Sequence, residues 1–522
     1  MWFLHLLFLE KTWATLNVSQ YQALYEFYNA TGGDYWVEPR YKVIECAANS
    51  SNCEQKWNFN NYMDDPCNTK VPWWGLTCAT VVDSQLQVVV SIDLGHYNLS
   101  GILPDAIFEN LVSMISLNLS FNNLYSTLPS SLALLSGLRV LGLHHIVYDP
   151  FLYSPHRSNF DDESDIDNDF FQLVVEDLDR TQRFRFNGTL PPLLLNLTSI
   201  VELNLAGNDF VGEIPDGLGG TNNPYLSILD INFNQITGTL PSSLTEHTPN
   251  LVSLNLFRNK LTGTIPPFVA AVNLSLLILG DNNLHGTFPI LLTDRSSLEV
   301  LSLGTNEFSG TLPADIGKLR KLKLLNLEFN RFTSVLPSEI GYFKSIESLI
   351  INNNHLNGTL PSSIYSLTNL TYLIVSNNSF TGTLPDDLSR LVNLNVLQFS
   401  ENRINSTIPS NLSSLSRVRE IYLDDNQLTG TFPSTFMECK TLVVLNIGFN
   451  SLKGPIPDGW SSGKLRFLYF GNNQLTGEIP HSFKYLTNLT ELFCPYNQLN
   501  GTIPDIFGSL NRFEVHTFIS SS

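Results

Sequence analysis

The chain repeats one pattern of apolar and polar positions, Leu-x-Leu-x-x-Asn-x-Leu-x-Gly-x-Ile/Leu-Pro. Clear copies occupy residues 203–215, 254–266, 301–313, 421–433 and 492–504. Leu at alternate positions predicts a short strand with one apolar face. Because one such repeat cannot bury that face alone, neighbouring repeats must cover it. The pattern therefore predicts short strands stacked into a parallel sheet.

An Asn follows each predicted strand, and from Asn208 onward it recurs every 23 to 26 residues. We expect its amide to bond backbone groups that no strand ladder satisfies. Gly then permits close approach, and Pro ends the next extended segment. Tyr97 and Phe184 occupy the same position in two imperfect copies, which gives sixteen repeats. The Asn positions are Asn122, Asn208, Asn234, Asn259, Asn282, Asn306, Asn330, Asn354, Asn378, Asn402, Asn426, Asn450, Asn473 and Asn497.

Over about residues 86–518 this pattern resembles the plant-type leucine-rich repeat of receptor-kinase ectodomains and polygalacturonase-inhibiting proteins. The resemblance implies an α/β solenoid, a curved superhelix of about 16 repeats of 24 residues. The segments ALYEFYNATGGDYW, KWNF, DDPC and WWGLTC, between residues 23 and 78, resemble the N-terminal cap of such proteins.

The predicted organisation has five parts: a signal peptide at 1–14, the cap at 15–85, repeats 1–2 at 86–143, an acidic insertion at 144–183, and further repeats at 184–522. The alternative for the first segment is an apolar stretch packed on the cap.

The resemblance implies that Cys67 and Cys78 form the disulfide of the cap. Cys46 and Cys53 lie in what resembles an insertion of the cap, and we expect them to pair with each other. Four cysteines allow three pairings, and the sequence leaves the others open. A zinc site would normally show two close Cys pairs, which are absent here. Cys494 occupies an inward Leu position, which predicts a buried free thiol.

The net charge of the chain disfavours two classes of binding partner. The chain has 29 Lys and Arg against 48 Asp and Glu, a net charge of -19, which disfavours nucleic acid and anionic lipid. The sequence contains no run of 18 or more apolar residues, so it predicts no membrane-spanning helix.

Disulfides and Asn-x-Ser/Thr sequons favour secretion or the extracellular face of the plasma membrane. Several of these sequons would also arise from the repeat consensus itself, without any role in glycosylation. The glycosylation candidates are Asn29, Asn196, Asn273, Asn357, Asn369, Asn411, Asn488 and Asn500.

The insertion at 144–183 carries 10 acidic and 3 basic residues, so it is either a binding loop or a solvated acidic loop. Asp165, Asp167, Asp169 and Glu176 match positions 1, 3, 5 and 12 of a calcium-binding EF-hand loop. Phe170 stands where that loop requires Gly, so the match is weak.

Residues between and just after the strand leucines are predicted to face the concave surface, which gains aromatic and acidic residues in the last repeats. Such residues favour a basic protein or peptide ligand, although Tyr and Phe are also good strand formers. The predicted ligand-binding residues are Glu420, Tyr422, Asp424, Asp425, Phe467, Tyr469, Glu491, Phe493 and Tyr496.

The sequence therefore predicts a secreted or cell-surface recognition module for a protein, peptide or wall polysaccharide, with a co-receptor as a further partner. No catalytic motif occurs, and neither an enzyme nor a cofactor is expected. One alternative is the ectodomain fragment of a receptor-like kinase, since a further repeat begins at 510–515 without a C-terminal cap motif. A second alternative is an ice-binding solenoid with regular Thr ranks, which include Thr359, Thr383, Thr407 and Thr431.

Overall fold

The computed structural model describes residues 16–37, 57, 59, 66–67, 73–81, 86–145, 185–268, 270–461 and 463–501. The predicted signal peptide, the Cys46 and Cys53 pair, and the calcium candidates Asp165, Asp167, Asp169 and Glu176 lie outside these ranges. So does the segment after 501. The chain forms two compact units, residues 1–284 and 285–522, and each is described by itself.

A small aromatic core holds the N-terminal cap together. The helix Val18–Ala30 begins where the Asn17 side chain accepts a hydrogen bond from the Gln20 amide, and a 3₁₀ turn follows at Gly33–Tyr35. The Cys67–Cys78 disulfide, predicted from the cap resemblance, is present. The rings of the core pack mainly edge to face or tilted, and they belong to Phe27, Trp36, Trp57 and Trp73.

The cap leads into the parallel sheet of the first unit. Strand Leu76–Thr80 pairs antiparallel with Gln87–Asp93, after which all main strands run parallel. The central residue of each three-residue strand is a buried Leu, as the alternation predicts, and the longer strand Gln87–Asp93 buries Val89 and Ile92 instead. These strands are Gln87–Asp93, Ser116–Asn118, Val140–Gly142, Glu202–Asn204, Ile228–Asp230, Ser253–Asn255 and Leu276–Ile278.

The acidic insertion leaves the main sheet continuous. Strand Val140–Gly142 precedes it and pairs with Ser116–Asn118 on one side and Glu202–Asn204 on the other. After the insertion, Phe186 bridges to Ser126, and Asn187–Thr189 pairs with Asp209–Glu213. The insertion therefore falls inside one repeat, between its main strand and its outer strand.

The second unit continues the same design with nine parallel main strands in its described part, which together with the seven of the first unit makes sixteen. They are Val300–Ser302, Leu324–Asn326, Ser348–Ile350, Tyr372–Ile374, Val396–Gln398, Glu420–Tyr422, Val444–Asn446, Phe467–Tyr469 and Glu491–Phe493.

Short outer strands follow the main strands and form small parallel sheets of their own. In chain order they are Ser100–Gly101, Asn123–Leu124, Asn187–Thr189, Asp209–Glu213, Gln235–Thr237, Thr262–Gly263, Asn283–Gly286, Glu307–Thr311, Arg331–Val335, His355–Gly358, Ser379–Gly382, Arg403–Ile404, Lys453–Pro455, Gln474–Gly477 and Gln498–Leu499. The Thr residues of the ice-binding alternative are exposed here, but Val335 and Pro455 interrupt their rank.

Helical turns begin directly after the recurrent Pro, whose restricted φ suits an extended N-cap. Two are α-helical, Asp105–Asn110 and Ser242–Glu246. The others are 3₁₀ turns at Ser130–Leu134, Pro192–Asn196, Ile290–Asp294, Ala314–Lys318, Ser338–Tyr342, Ser362–Ser366, Asp386–Arg390, Ser410–Ser414, Ser434–Glu438 and His481–Tyr485.

The Asn column makes the backbone bonds that the sequence predicts. Asn354 accepts a hydrogen bond from the amide of Phe332 in the preceding repeat at 2.9 Å. Its amide nitrogen donates to the carbonyl oxygens of Leu327, Ile351 and Asn352. Each repeat thus fastens the turn of its neighbour, which explains why this polar residue recurs in a buried position.

Candidate functional site

Three strands near the end of the second unit present acidic and aromatic side chains on one face of the sheet. Their central residues Ile421, Leu468 and Leu492 are buried, so the flanking residues project to the opposite face, here called the strand face. The acidic–aromatic patch comprises the flanking residues Glu420, Tyr422, Phe467, Tyr469, Glu491 and Phe493.

Strand register arranges the patch in two rows. One row runs Glu420, Val444, Phe467 and Glu491, as set by the pairing of four consecutive strands. The second row runs Tyr422, Asn446, Tyr469 and Phe493. Because neighbouring strands lie about 4.8 Å apart, each row spans roughly 14 Å. These residues are far apart in sequence, and the pairing of the strands places them on one face of the sheet.

Hydrogen bonds and ring contacts fix the side chains of the patch. The Tyr469 hydroxyl donates to Glu491 Oε2 at 2.5 Å, and the Tyr422 hydroxyl bonds the Glu420 carboxylate. The Tyr469 ring lies 6.5 Å from the Phe493 ring and 6.4 Å from the Phe467 ring, centroid to centroid. The strand aromatics are half-buried, because they pack on one another across adjacent strands.

Two carboxyl groups of this region, those of Glu420 and Asp424, are poorly solvated. Burial raises the pKa of Glu420, and the nearby Arg419 and the Tyr422 hydroxyl only partly oppose that shift. Burial also raises the pKa of Asp424, although Ser400 donates a hydrogen bond to it at 2.5 Å. A positive group placed against these carboxylates would replace lost solvation, so the patch favours a cation.

A rim of turn residues borders the patch. Asp425, Phe449, Asn472 and Tyr496 occupy equivalent positions of four successive repeats, with φ between 48° and 55°. Such left-handed backbone is unusual for Phe and Tyr. Phe449 is 55% exposed and Tyr496 is 62% exposed. The rim therefore adds two accessible rings to the half-buried ones of the strand face.

Two further residues, Phe449 and Arg466, belong to this surface and were not predicted from the sequence. Phe449 stands where most other repeats carry polar residues, and comparing that position between repeats could have found it. Arg466 lies with its guanidinium carbon 5.3 Å from the centre of the Phe467 ring, a cation–π contact. That contact depends on side-chain direction, which the repeat pattern alone does not give.

The sequons fall on different surfaces of the repeats. Asn357 and Asn500 are exposed beside the outer strands, and Asn29, Asn196 and Asn273 are exposed elsewhere. That these residues carry glycans remains a prediction. Three others donate their amide nitrogens to the preceding repeat, and these are Asn369, Asn411 and Asn488.

Asn118 is a sequon on a main strand, where a glycan would lie on the strand face. Its amide nitrogen donates to Asp93 at 2.9 Å, and its oxygen accepts from Ser120. If a ligand binds on this part of the strand face, we expect this sequon to be unused.

The described residues contain neither a metal-binding cluster nor a membrane-spanning helix. Within those ranges, no three His, Cys, Asp or Glu residues are grouped so that they could hold a metal ion. The helices described there are all too short or too polar to cross a membrane. Cys439 and Cys494 are free thiols, and Cys494 is buried as predicted.

Two sequence profiles of known families match the repeats. The profile described as "Leucine-rich repeat region" matches residues 290–518, and the "Leucine Rich Repeat" profile matches 199–221, 225–246 and 250–271. Together they cover repeats in both units.

Similar curated proteins come from Arabidopsis thaliana. Receptor-like protein 32 is 29% identical over 188 residues, which cover 36% of this chain and 20% of that protein. Receptor-like protein 39 is 30% identical over 238 residues, which cover 41% of this chain and 25% of that protein. The chain thus spans about a fifth to a quarter of the length of these relatives.

Solved structures share the fold over most of the chain. The plant peptide hormone receptor RGFR1 in complex with RGF2 aligns with a TM-score of 0.69 and 26% identity, over 83% of this chain and 63% of that one. PEPR1 with AtPEP1 aligns with a TM-score of 0.58 and 25% identity, over 97% of this chain and 75% of the PEPR1 chain. The Arabidopsis receptor kinase HAESA, in complex with the peptide hormone IDA and the co-receptor SERK1, aligns with a TM-score of 0.59 and 25% identity. That alignment covers 84% of this chain and 87% of the HAESA chain. The chain therefore belongs to the leucine-rich repeat proteins, and it is similar in fold to these plant receptors.

Proposed function

We propose that the chain is an extracellular or cell-surface recognition module that binds a peptide or an extended protein segment on its acidic–aromatic patch. The observation that carries this proposal is the pair of rows on the strand face, where the hydrogen-bonded carboxylates of Glu420 and Glu491 lie among packed aromatic rings. Solved structures with the same fold include a plant peptide hormone receptor and a receptor kinase in complex with a peptide hormone, which supports a ligand of this class.

The chemistry of the patch selects the ligand. Tyr and Phe rings supply contact area at little cost in conformational entropy. Glu420 and Asp424 are partly desolvated carboxyls, so they favour an Arg or Lys side chain over a neutral one. We therefore expect a ligand in which a basic residue lies next to an aromatic or aliphatic residue.

The hydrogen bonds of the patch make it a preformed surface. Tyr469 and Glu491 hold each other before any ligand arrives, which lowers the entropy lost on binding. Recognition of this kind needs no reacting group, and it would serve equally in a free protein or in a longer receptor. A co-receptor would be a second partner of the assembled complex.

Synthetic extended peptides test this function directly. A panel that pairs Arg, Lys, Glu or Gln with an adjacent Phe or Leu would be titrated against the secreted chain. We expect the Arg and Lys members to bind and the combined Tyr469→Ala and Phe493→Ala variant to lose at least about tenfold in affinity.

The matched control removes two exposed rings elsewhere, with Tyr225→Ala and Tyr485→Ala. It should bind as the unaltered chain does. Equal losses in both double variants, or a preference for the Glu peptides, would contradict the assignment of this patch.

A further inference from the structure

A basic groove lies in the second unit, in an otherwise acidic chain. It has a volume of about 360 Å³ and lies between the turns of successive repeats. Residues of successive repeats line it, and they include Arg320, Tyr342, Lys344 and Asn369. Residues 318–344 contain six basic and two acidic residues, although the whole chain has a net charge of -19.

Repeat geometry brings the two cations of the groove together. Arg320 and Lys344 stand at the same position of consecutive repeats, and the Lys344 amide donates to the Arg320 carbonyl at 3.3 Å. Nearby Lys318 and Lys323 pair with acidic residues. In the described part of the second unit, by contrast, Arg320 and Lys344 form no ion pair, so their charges remain available.

The rest of the lining is amphipathic. Phe343, Ile346 and Leu367 are buried and form an apolar floor, whereas the Tyr342 ring is 59% exposed at the edge. Thr368 and Asn369 add polar atoms on the third repeat, and Asn369 is positioned by its hydrogen bond to the Lys344 carbonyl at 3.0 Å. The groove thus combines an aromatic ring, two cations and several hydrogen-bonding groups.

We propose that this groove binds an acidic sugar, a ring that carries a carboxylate. Arg320 and Lys344 bind the carboxylate, for which a guanidinium offers paired donors. The Tyr342 ring covers the apolar face of the sugar, while Ser366, Thr368 and Asn369 bond its hydroxyl groups. A shallow groove of this volume fits such a small ligand, whereas a protein partner needs a far larger contact area.

This site is separate from the acidic–aromatic patch, which has the opposite charge. The proposal therefore does not depend on the proposed function. Asn369 begins a sequon, and a glycan there would stand at the groove, so the test uses the Thr371→Val background to remove that sequon.

The experiment titrates the secreted chain in this background with a short oligomer of galacturonic acid. A neutral galactose oligomer and a short poly-glutamate peptide are compared. We expect binding of the acidic sugar only, weakened at least about tenfold by the combined Arg320→Ala and Lys344→Ala variant. Tyr342→Ala should weaken it as well.

The control variant carries Arg417→Ala and Lys464→Ala, which remove the same charge from exposed positions outside the groove. It should change the affinity by less than about twofold. Equal binding of the neutral oligomer, groove-dependent binding of poly-glutamate, an equal loss in the control, or no binding of the acidic sugar would each overturn the proposal.

Discussion

Removal of one Asn side chain from the buried column should loosen two repeats at once. In Asn354→Ala the amide of Phe332 loses its acceptor, and the carbonyl oxygens of Leu327, Ile351 and Asn352 lose a donor. Asn354 is 6% exposed, so water cannot easily replace these four bonds.

The magnitude follows from the bond count. The two amide hydrogens, shared among three carbonyl oxygens, and the side-chain oxygen of Asn354 amount to about three full hydrogen bonds. At about 1 kcal/mol net for each, and with buried groups left unpaired, the expected loss in local stability is about 3 to 4 kcal/mol. Since about 1.4 kcal/mol corresponds to a factor of ten, protection of the Phe332 amide should fall by roughly 10²- to 10³-fold. Native-state hydrogen exchange measures this quantity residue by residue.

Asn283→Ala is the matched control, because it removes an exposed Asn from an outer strand. Exchange at Phe332 should be unchanged in that variant. If the Phe332 amide exchanges at the same rate in both variants, the hydrogen bonds of the Asn column do not stabilise the contact between repeats.

Three further outcomes are expected. A Lys- or Arg-bearing peptide bound at the patch should gain affinity as pH rises through the titration range of Glu420, because burial raises the pKa of that carboxyl and the cation favours its charged form. Gly382→Ala should lower the unfolding midpoint in urea by the equivalent of about 1 to 3 kcal/mol, because φ is 89° and the new Cβ would lie 2.8 Å from Thr359 Cγ2. Burial raises the pKa of the Cys494 thiol to about 11, so alkylation at pH 8 should label it only after unfolding.

Each of these outcomes has a control. Glu420→Gln should flatten the pH dependence of peptide affinity, and an unchanged slope would assign it to another group. Gly137→Ala should be tolerated better, because its nearest non-neighbouring atom would be 4.0 Å from the new Cβ. Rapid labelling of Cys494 in the folded chain would show that its environment is open.

The repeat pattern was sufficient to predict the main strands, their parallel order and the roles of the Asn column. These features arise from interactions between a repeat and its immediate neighbours, so a local pattern encodes them. The Cys67–Cys78 disulfide also followed from motifs of the cap, and the structure confirms it. The six patch residues on the strands share a face because alternation along a strand fixes the direction of each side chain, whereas Asp424, Asp425 and Tyr496 lie in turns after the strands.

The sequence by itself therefore determined the fold, the faces of its strands and the acidic balance of the chain. Tertiary structure alone decided how side chains meet between repeats: the bond from Tyr469 to Glu491, the exposed Phe449 ring and the groove that joins Arg320 to Lys344. The physical reason is that register stacks residues about 24 positions apart, while rotamers and burial set their contacts. A one-dimensional pattern specifies the stack but not those contacts.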